Sequence, residues 1–318
     1  MLLRLPDPDA QYSAVRLTSD LPAQDFARHN GEWRLEFDRA DVERLEYQLE
    51  VERDDGATEY VLDPGNPHTA PGAFGDKSVL LLPGYAPPAW LDAPHVEGEK
   101  TKLAVRRVQT EVWSPADTDP DEPLPLLVAH DGPEYDKLSQ LTRFSGVKVA
   151  AGELPPHRVA LLAPRERDEW YSASPRYTRM LMEEVLPKLP PTHGAPAAIG
   201  ASLGGLALLY AQRRHPGTFG ALFLQSGSFF MPRYDAHESR FPHYHRVVGF
   251  VGETLRAGEP AGVPTVLTCG AAEENIHNNR VMAETLQAPL RELTDTHNYT
   301  AWRDAFDPHL ARLLADAW

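Results

Sequence analysis

The chain has 318 residues, of which 42% are hydrophobic and 24% are charged, and its formal net charge is −15 at pH 7. This composition predicts a globular protein large enough for two domains, and the acidity argues against nucleic acid or an anionic membrane surface as a partner. Because no apolar run reaches the length of a signal-peptide core or a membrane span, and because Cys269 is the only cysteine, we expect a cytoplasmic protein without an intrachain disulfide.

Residues 1–100 contain short segments in which polar and apolar residues alternate, separated by turn-forming residues. The segments that we predict to be strands are residues 31–37, 45–51, 58–62 and 78–82. Alternation with a period of two is typical of strands that have one buried face. We therefore predict that residues 1–100 form a small β-sandwich domain. Residues 85–102, at its C-terminal end, are predicted to be the linker to the rest of the chain.

From residue 101 to residue 318, near-continuous apolar runs alternate with helical patterns. The first run, residues 105–113, is predicted to be an edge strand. Buried strands are predicted at residues 124–130, 159–163, 197–199, 221–224 and 265–268, and helices at residues 177–189 and 205–214. This order predicts an α/β domain with a mostly parallel sheet covered by helices on both faces, and it is the order that an α/β-hydrolase fold requires.

The pentapeptide Gly200-Ala201-Ser202-Leu203-Gly204 lies between a predicted strand and a predicted helix. A serine on such a turn is held in a strained backbone conformation, with its hydroxyl exposed above the sheet and small residues beside it. The alternative is a glycine-rich turn that packs a helix on a strand, which explains the glycines but not the serine. We predict Ser202 as a nucleophile, and the N–H of Leu203 as one donor of an oxyanion hole.

A serine nucleophile needs a base, and the base needs an orienting acid, which in this fold follows a later strand. The strand predicted at residues 265–268 runs into Gly270-Ala271-Ala272-Glu273-Glu274, and this turn places a carboxylate at the carboxyl edge of the sheet. We predict Glu273 as the acid, with Glu274 in reserve. The alternative is that both are solvated loop residues, which is the usual situation of adjacent carboxylates.

Three histidines follow this acid along the chain: His277, His297 and His309. His277 is close to the acid and falls on the next predicted helix, and His309 lies within the final one. His297 lies in a polar loop just before Trp302, and loops on a rigid scaffold are where catalytic groups concentrate. We therefore predict His297 as the base.

The second oxyanion donor is expected in the loop that follows the strand ending at His130. Pro133 has no N–H, so the donor is Gly132 or Glu134. We predict Gly132, because a glycine permits close approach of the backbone to a substrate. The alternative is a plain Asp-Gly-Pro turn.

Four motifs resemble those of the enterochelin-esterase-like ("putative esterase") family of α/β-hydrolases. They are the elbow around Ser202, the Asp131-Gly132 loop, the segment Gly270–Glu273, and His297-Asn298 with Trp302-Arg303. Carried over position by position, the resemblance implies Ser202 as nucleophile, His297 as base and Glu273 as acid. It covers residues 100–318, and residues 1–100 are similar to the immunoglobulin-like domain that precedes the catalytic domain in ferric-siderophore esterases.

The same family has an arginine and an acidic–aromatic pair after the next strand, matched here by Arg167 and Glu169-Trp170-Tyr171. Arg167 and Trp170, together with Tyr135 of the oxyanion loop, are the candidate substrate-binding residues. The alternative for Arg167 and Trp170 is a position on the surface, away from any pocket. Two features depart from the family pattern. The usual glycine pair before the histidine is Asp295-Thr296, and the positive charge expected around a ferric catecholate is missing.

The sequence thus predicts a serine esterase that hydrolyses a small-molecule carboxylic ester through an acyl-enzyme, without a cofactor. His237, His243 and His245 lie close together, but no helical His-Glu pair or cysteine accompanies them, and we expect no metal site. The alternatives are an acyltransferase with the same triad, and a non-catalytic glycan-binding protein with a vestigial hydrolase domain. The sequence leaves the oligomeric state open.

Overall fold

The computed structural model describes residues 1–38, 41–105 and 107–318. By its internal contacts the chain divides into two compact units. The smaller unit consists of Met1–Ala86, Gly270–Glu273 and Leu293–Ala301, and the larger unit consists of Pro87–Cys269, Glu274–Glu292 and Trp302–Trp318. The smaller unit therefore combines the N-terminal part of the chain with two short segments from its C-terminal half.

The N-terminal part of the smaller unit is built from antiparallel strands. These are β1 (Leu2–Pro6), β2 (Tyr12–Ser19), β3 (Gln24–Asp25), β4 (Ala27–His29), β5 (Glu32–Glu36), β6 (Arg44–Arg53), β7 (Thr58–Val61), β8 (Thr69–Ala70) and β9 (Lys77–Leu81). One sheet has the order β1-β5-β4, and the other has the order β3-β2-β6-β9-β8, with β7 paired to β6. Buried apolar residues of both sheets form one core, so the predicted β-sandwich is confirmed.

Strand β6 shows how the alternating pattern produces this core. Its inward side chains, each at most 1% exposed, are Leu45, Tyr47, Leu49 and Val51. The residues between them lie on the opposite face. Glu46, and Arg44 before them at the start of the same face, are nevertheless only 3% exposed. The strand predicted to be half-buried is thus buried on both faces where it begins.

The larger unit is organised around a mixed sheet. Its strands are β10 (Gly98–Leu103), β11 (Val108–Pro115), β12 (Leu126–His130), β13 (Arg158–Pro164), β14 (Ala197–Ala201), β15 (Ala221–Gln225), β16 (Thr265–Gly270) and β17 (Leu290–Leu293). The order of the described strands is β10-β11-β13-β12-β14-β15-β16-β17. Strands β10, β11 and β13 pair antiparallel, whereas β13, β12, β14, β15 and β16 pair parallel. The mostly parallel sheet predicted for this part is confirmed.

Helices follow these strands in the predicted alternation. They are α1 (Gly132–Ser139), α2 (Leu141–Ala150), α3 (Arg167–Tyr171), α4 (Pro175–Met180), α5 (Leu203–Arg214), α6 (Tyr244–Ala257), α7 (Ile276–Leu286), α8 (Tyr299–Asp304) and α9 (Ala311–Ala317). Helix α4 continues through Leu181–Val185 and Leu186–Lys188, so the helix predicted at residues 177–189 is present. Within the described ranges, no helix is both long and apolar enough to span a membrane.

One prediction about the sheet is wrong. The run at residues 105–113 was expected to be an edge strand, but β11 lies between β10 and β13, and β10 is the outer strand. Strand β10 falls within the predicted linker because its sequence, Gly-Glu-Lys-Thr-Lys-Leu, lacks an apolar face and its residues are mostly exposed. Charged residues on an edge strand disfavour pairing with another chain. A strand composed of such residues lacks the hydrophobic pattern from which strands are predicted.

Candidate active site

Ser202 occupies the turn between β14 and α5, with φ 55° and ψ −125°. A non-glycine residue at positive φ is strained, and such strain is concentrated at functional sites. The backbone N–H of Ser202 donates to the carbonyl of Gln225 at 2.9 Å, which fixes the turn against the end of β15. Leu203 is the first residue of α5, and an N–H at this position has no acceptor within its helix.

The glycines of the elbow are required by close backbone contact. A Cβ atom on Gly200 would lie 2.7 Å from the carbonyl carbon of Gly204, and a Cβ atom on Gly205 would lie 3.0 Å from the carbonyl oxygen of Gly200. Packing of α5 against β14 therefore explains these glycines. Packing does not explain why the residue in the strained conformation is a serine. The strained serine therefore favours a nucleophile at this turn over a turn that serves only to pack the helix on the strand.

The hydroxyl of Ser202 has a neighbour that the sequence did not single out. Its Oγ lies 3.1 Å from Oγ of Ser228, and the N–H of Ser228 donates to the carbonyl of Ser202 at 3.1 Å. Ser228 follows β15 in the stretch Gln225-Ser226-Gly227-Ser228. The sequence contained one signal for Ser228, a stretch of small polar residues directly after a buried strand. Such a stretch lies at the carboxyl edge of the sheet, where functional residues of this class of fold are found.

Within the smaller unit, the structure brings Glu273 and His297 together. Nδ1 of His297 lies 2.8 Å from Oε2 of Glu273, and Oε1 of Glu273 accepts the N–H of Gly270 at 2.7 Å. Glu273 is 4% exposed. The side chain of Glu274 is 73% exposed and lies 3.1 Å from His237. Only the first of the two adjacent glutamates therefore contacts His297.

The loop that carries His297 contains a buried carboxyl group. Burial raises the pKa of Asp295 to about 6, an effect that the nearby Arg44 guanidinium opposes. Oδ1 of Asp295 accepts the N–H of Thr296 at 2.7 Å and an Nδ2–H of Asn298 at 2.8 Å. These bonds fix the backbone on both sides of His297.

Gly132, the candidate oxyanion residue in the larger unit, is the first residue of α1. A Cβ atom at this position would lie 2.3 Å from Cα of Leu161 in β13, so the close approach that requires a glycine is to a strand of the protein itself. Pro133 is the second residue of the same helix, and the segment is a helix start rather than a plain turn. The backbone N–H of Gly132 has no acceptor within α1, as at any first helical position.

Arg167 fixes the residue before that helix. Its Nε and Nη2 atoms donate to the carboxylate of Asp131 at 2.8 to 3.0 Å, and its guanidinium lies over the ring of Tyr171. Asp131 itself adopts a left-handed conformation, with φ 51°. The side chain of Arg167 is 39% exposed.

The other two candidate substrate-binding residues are core residues in this structure. Tyr135 is completely buried, and its hydroxyl donates to Oε1 of Gln225 at 2.9 Å. Trp170 is 3% exposed and stacks on Tyr177. Large aromatic residues are as typical of a core as of a pocket, which is why the sequence did not distinguish the two. Neither side chain presents surface to a ligand here.

His130 supports the elbow from within the core and was not singled out by the sequence. Its Nδ1 lies 3.1 Å from the carbonyl of Gly204, its Nε2 lies 2.9 Å from the hydroxyl of Tyr177, and its ring stacks on Tyr171. Complete burial lowers the pKa of His130 to about 3, so the ring is neutral near pH 7. A neutral imidazole donates through one nitrogen and accepts through the other, which fits a donor to Gly204 and an acceptor from Tyr177.

The remaining histidines take other positions. His277 lies on α7 and stacks on Tyr234, and His309 lies in the helical turn Phe306–Leu310. His243 lies 3.2 Å from the carboxylate of Glu169. In the parts of the chain that the structure describes, no group of three or more His, Cys, Asp or Glu residues is arranged to hold a metal ion.

Among solved structures, the ferric enterobactin esterase of Salmonella typhimurium superposes with a TM-score of 0.77 at 20% identity, covering 99% of this chain and 94% of that one. This likeness shows the fold, an α/β-hydrolase domain preceded by antiparallel sheets.

Two curated relatives are the iron(III) enterobactin esterases of Escherichia coli O6:H1 and Dickeya dadantii, each 27% identical. The alignments cover 81% and 61% of this chain, and 67% and 49% of those relatives.

Residues 103–313 match the family described as "Putative esterase". Since the match spans more than half of the chain, the protein belongs to this family and is an ester hydrolase. The family resemblance and the fold class predicted from the sequence are confirmed.

Proposed function

We propose that the protein is a serine esterase that hydrolyses a small-molecule carboxylic ester through an acyl-enzyme, with Ser202 as nucleophile, His297 as base and Glu273 as orienting acid. The observation that carries this proposal is the strained backbone of Ser202 on a strand–turn–helix elbow, at φ 55°. The buried Glu273 within 2.8 Å of His297 supports the other two roles. Membership of an esterase family supports the reaction class.

The proposed chemistry follows from the hydrogen-bonding capacity of each group. A carboxylate oxygen only accepts, so the proton between Glu273 and His297 resides on Nδ1, and Nε2 is the atom that takes a proton. His297 removes the proton of the Ser202 hydroxyl as Oγ bonds to the ester carbonyl carbon. It then returns that proton to the leaving alcohol. Water attacks the acyl-enzyme in the same manner and releases the acid and free Ser202.

The oxyanion donors in this proposal are the backbone N–H groups of Leu203 and Gly132. Both are first residues of helices, α5 and α1, where N–H groups lack helical acceptors and the helix dipole favours negative charge. Two such donors match the requirement for stabilising a tetrahedral oxyanion. Of the predicted substrate-binding residues, Arg167 retains exposed surface and stays our candidate for a substrate contact.

We further propose that the N-terminal strands, predicted over residues 1–100 and ending in the compact unit at Ala86, form an immunoglobulin-like domain. The catalytic domain is proposed to be the part of the chain predicted over residues 101–318, and the protein is proposed to act in the cytoplasm. The composition, with a single cysteine, supports this location. The curated relatives are iron(III) enterobactin esterases by name, so enterobactin belongs in any substrate panel. The net charge of −15 favours a neutral or cationic ester over a ferric catecholate.

The test combines covalent labelling with turnover. Wild-type protein and Ser202→Ala are treated with a fluorophosphonate, and both are assayed on p-nitrophenyl esters of increasing acyl length and on enterobactin. We expect labelling and hydrolysis by the wild type, and loss of both in a Ser202→Ala protein with unchanged circular dichroism. Hydrolysis by folded Ser202→Ala at the wild-type rate would contradict the proposal. Acyl transfer to an added alcohol in preference to water would identify an acyltransferase instead.

A further inference from the structure

A buried ion cluster in the smaller unit joins strand β6 to the loop of His297. Arg44 donates to Oε1 of Glu46 at 2.7 Å, to Oδ2 of Asp295 at 3.3 Å and to Oδ1 of Asn298 at 3.3 Å. Arg44, Glu46, Asp295 and Asn298 are each at most 7% exposed. A buried guanidinium that bridges two carboxylates is fixed in place, because no member can leave without exposing an unpaired charge to the core.

Two further contacts fix the same loop to the N-terminal part of the chain. The N–H of Glu43 donates to the carbonyl of Thr294 at 2.8 Å, and Oγ1 of Thr294 donates to Oε2 of Glu43 at 3.0 Å. Oγ1 of Thr296 donates to Oδ2 of Asp20 at 3.0 Å. Each residue from 294 to 296 is therefore bonded to the N-terminal part, and His297 follows directly.

The segment of Glu273 is anchored in the same unit. The N–H of Ala271 donates to the carbonyl of Leu293 at 2.8 Å, and Ala272 packs against the core of the N-terminal sheets. Both short segments thus belong to the compact unit formed by residues 1–86. The geometry of the Glu273–His297 pair is accordingly set by the N-terminal strands, with Arg44 as the most buried link.

We propose that Arg44 is a positioning residue for His297, and that the N-terminal part of the chain holds the acid–base pair for catalysis. The inference rests on the proposed function, since it assumes that His297 is the base. Arg44 contacts neither the reacting atoms nor the substrate in this proposal. It acts by holding Asp295 and Asn298, and a displacement of about 1 Å in a catalytic group lowers a rate by about 100-fold.

The experiment compares Arg44→Met with Arg16→Met. Arg16 is a matched control, because it lies on β2 of the same sheet and also bridges two carboxylates. It is half-exposed, however, and its carboxylate partners are Asp25 and Glu50 rather than a residue of the His297 loop. We expect Arg44→Met to lower kcat on a p-nitrophenyl ester about 100-fold with KM nearly unchanged. Arg16→Met should keep both constants. The NMR signal of the Nδ1 proton of His297, assigned by its loss in Glu273→Gln, should shift only in Arg44→Met.

A milder variant is included because Arg44→Met can unfold the unit. Asp20→Ala removes only the bond to Thr296, and we expect it to lower kcat about fivefold, as for one hydrogen bond. If Arg44→Met folds, a wild-type kcat in this variant overturns the inference. If Arg44→Met does not fold, a wild-type kcat in Asp20→Ala overturns it. Failure of the proposed function is seen separately: full activity in Ser202→Ala overturns both, whereas an inactive Ser202→Ala beside a fully active Arg44→Met overturns this inference alone.

Discussion

Oε2 of Glu273 lies 2.8 Å from Nδ1 of His297, while Glu274, the next residue, points into solvent beside His237. The difference arises in the turn after β16. Oε1 of Glu273 accepts the N–H of Gly270, and this bond folds the carboxylate back toward the sheet edge. A Cβ atom at Gly270 would lie 2.2 Å from the carbonyl oxygen of Asp295, so the turn also depends on a glycine.

This relationship gives a prediction with an internal control. Glu273→Gln should lower kcat by about four orders of magnitude, because an amide stabilises the wrong tautomer or orientation of the histidine. Glu274→Gln should leave kcat within about twofold, as expected for an exposed side chain. Steady-state kinetics at matched stability decides between them. If Glu274→Gln is the variant that loses kcat, the orienting acid is Glu274. If both variants keep the wild-type kcat, the enzyme works with a Ser-His dyad.

The glycines of the elbow give a prediction on stability. Gly200→Ala places a methyl group 2.7 Å from the backbone of Gly204, and we expect it to lower the free energy of unfolding by about 2 kcal/mol or more. Gly249→Ala is the control, because Gly249 lies within α6 and a Cβ atom there would have no neighbour within 4 Å. It should raise the free energy of unfolding by about 0.5 to 1 kcal/mol. Urea unfolding measures both, and a stabilising Gly200→Ala would refute the packing argument.

Much of the α/β domain was predictable because its signals are local. A serine flanked by glycines between an apolar strand and a helix predicts the elbow, and chain order then selects Glu273 and His297, which the structure brings into contact. Pairing of buried strands follows from near-continuous apolar runs such as that ending at His130. These inferences need only the sequence within a few residues of each motif, together with the direction of the chain.

The rest depends on contacts between distant parts of the chain. Arg44 and Asp295 are 251 residues apart, and nothing in an alternating strand distinguishes a buried arginine from a solvated one. The glycine pair that the family resemblance leads one to expect is Asp295-Thr296 here, and both side chains bind residues of the N-terminal part. Likewise, the burial of Tyr135 depends on its hydrogen bond to Gln225, which is 90 residues away in the sequence and cannot be predicted from the residues around Tyr135.

The last prediction concerns stability in acid. Burial lowers the folded-state pKa of His130 to about 3, below its value of 6.5 when solvated. The unfolded chain therefore binds the proton first as the pH falls, and stability is lost from about pH 6.5 downward until the folded pKa is reached. One such group removes about 2 kcal/mol at pH 5, since each pH unit is worth about 1.4 kcal/mol. His157, also fully buried, has its pKa lowered to about 4 by the same cause.

His130→Asn and His157→Asn should each reduce the slope of unfolding free energy against pH between 7 and 5 by about 1 kcal/mol per pH unit. Only His130→Asn should also lower kcat, by about tenfold, because its ring donates to Gly204 of the elbow, whereas His157 bonds to Pro155 and packs on Trp318. Denaturant unfolding at several pH values and kinetics at pH 7 provide the two measurements. An unchanged slope in His130→Asn would mean that this histidine is not the buried neutral group described above, and equal kcat values would remove its link to the elbow.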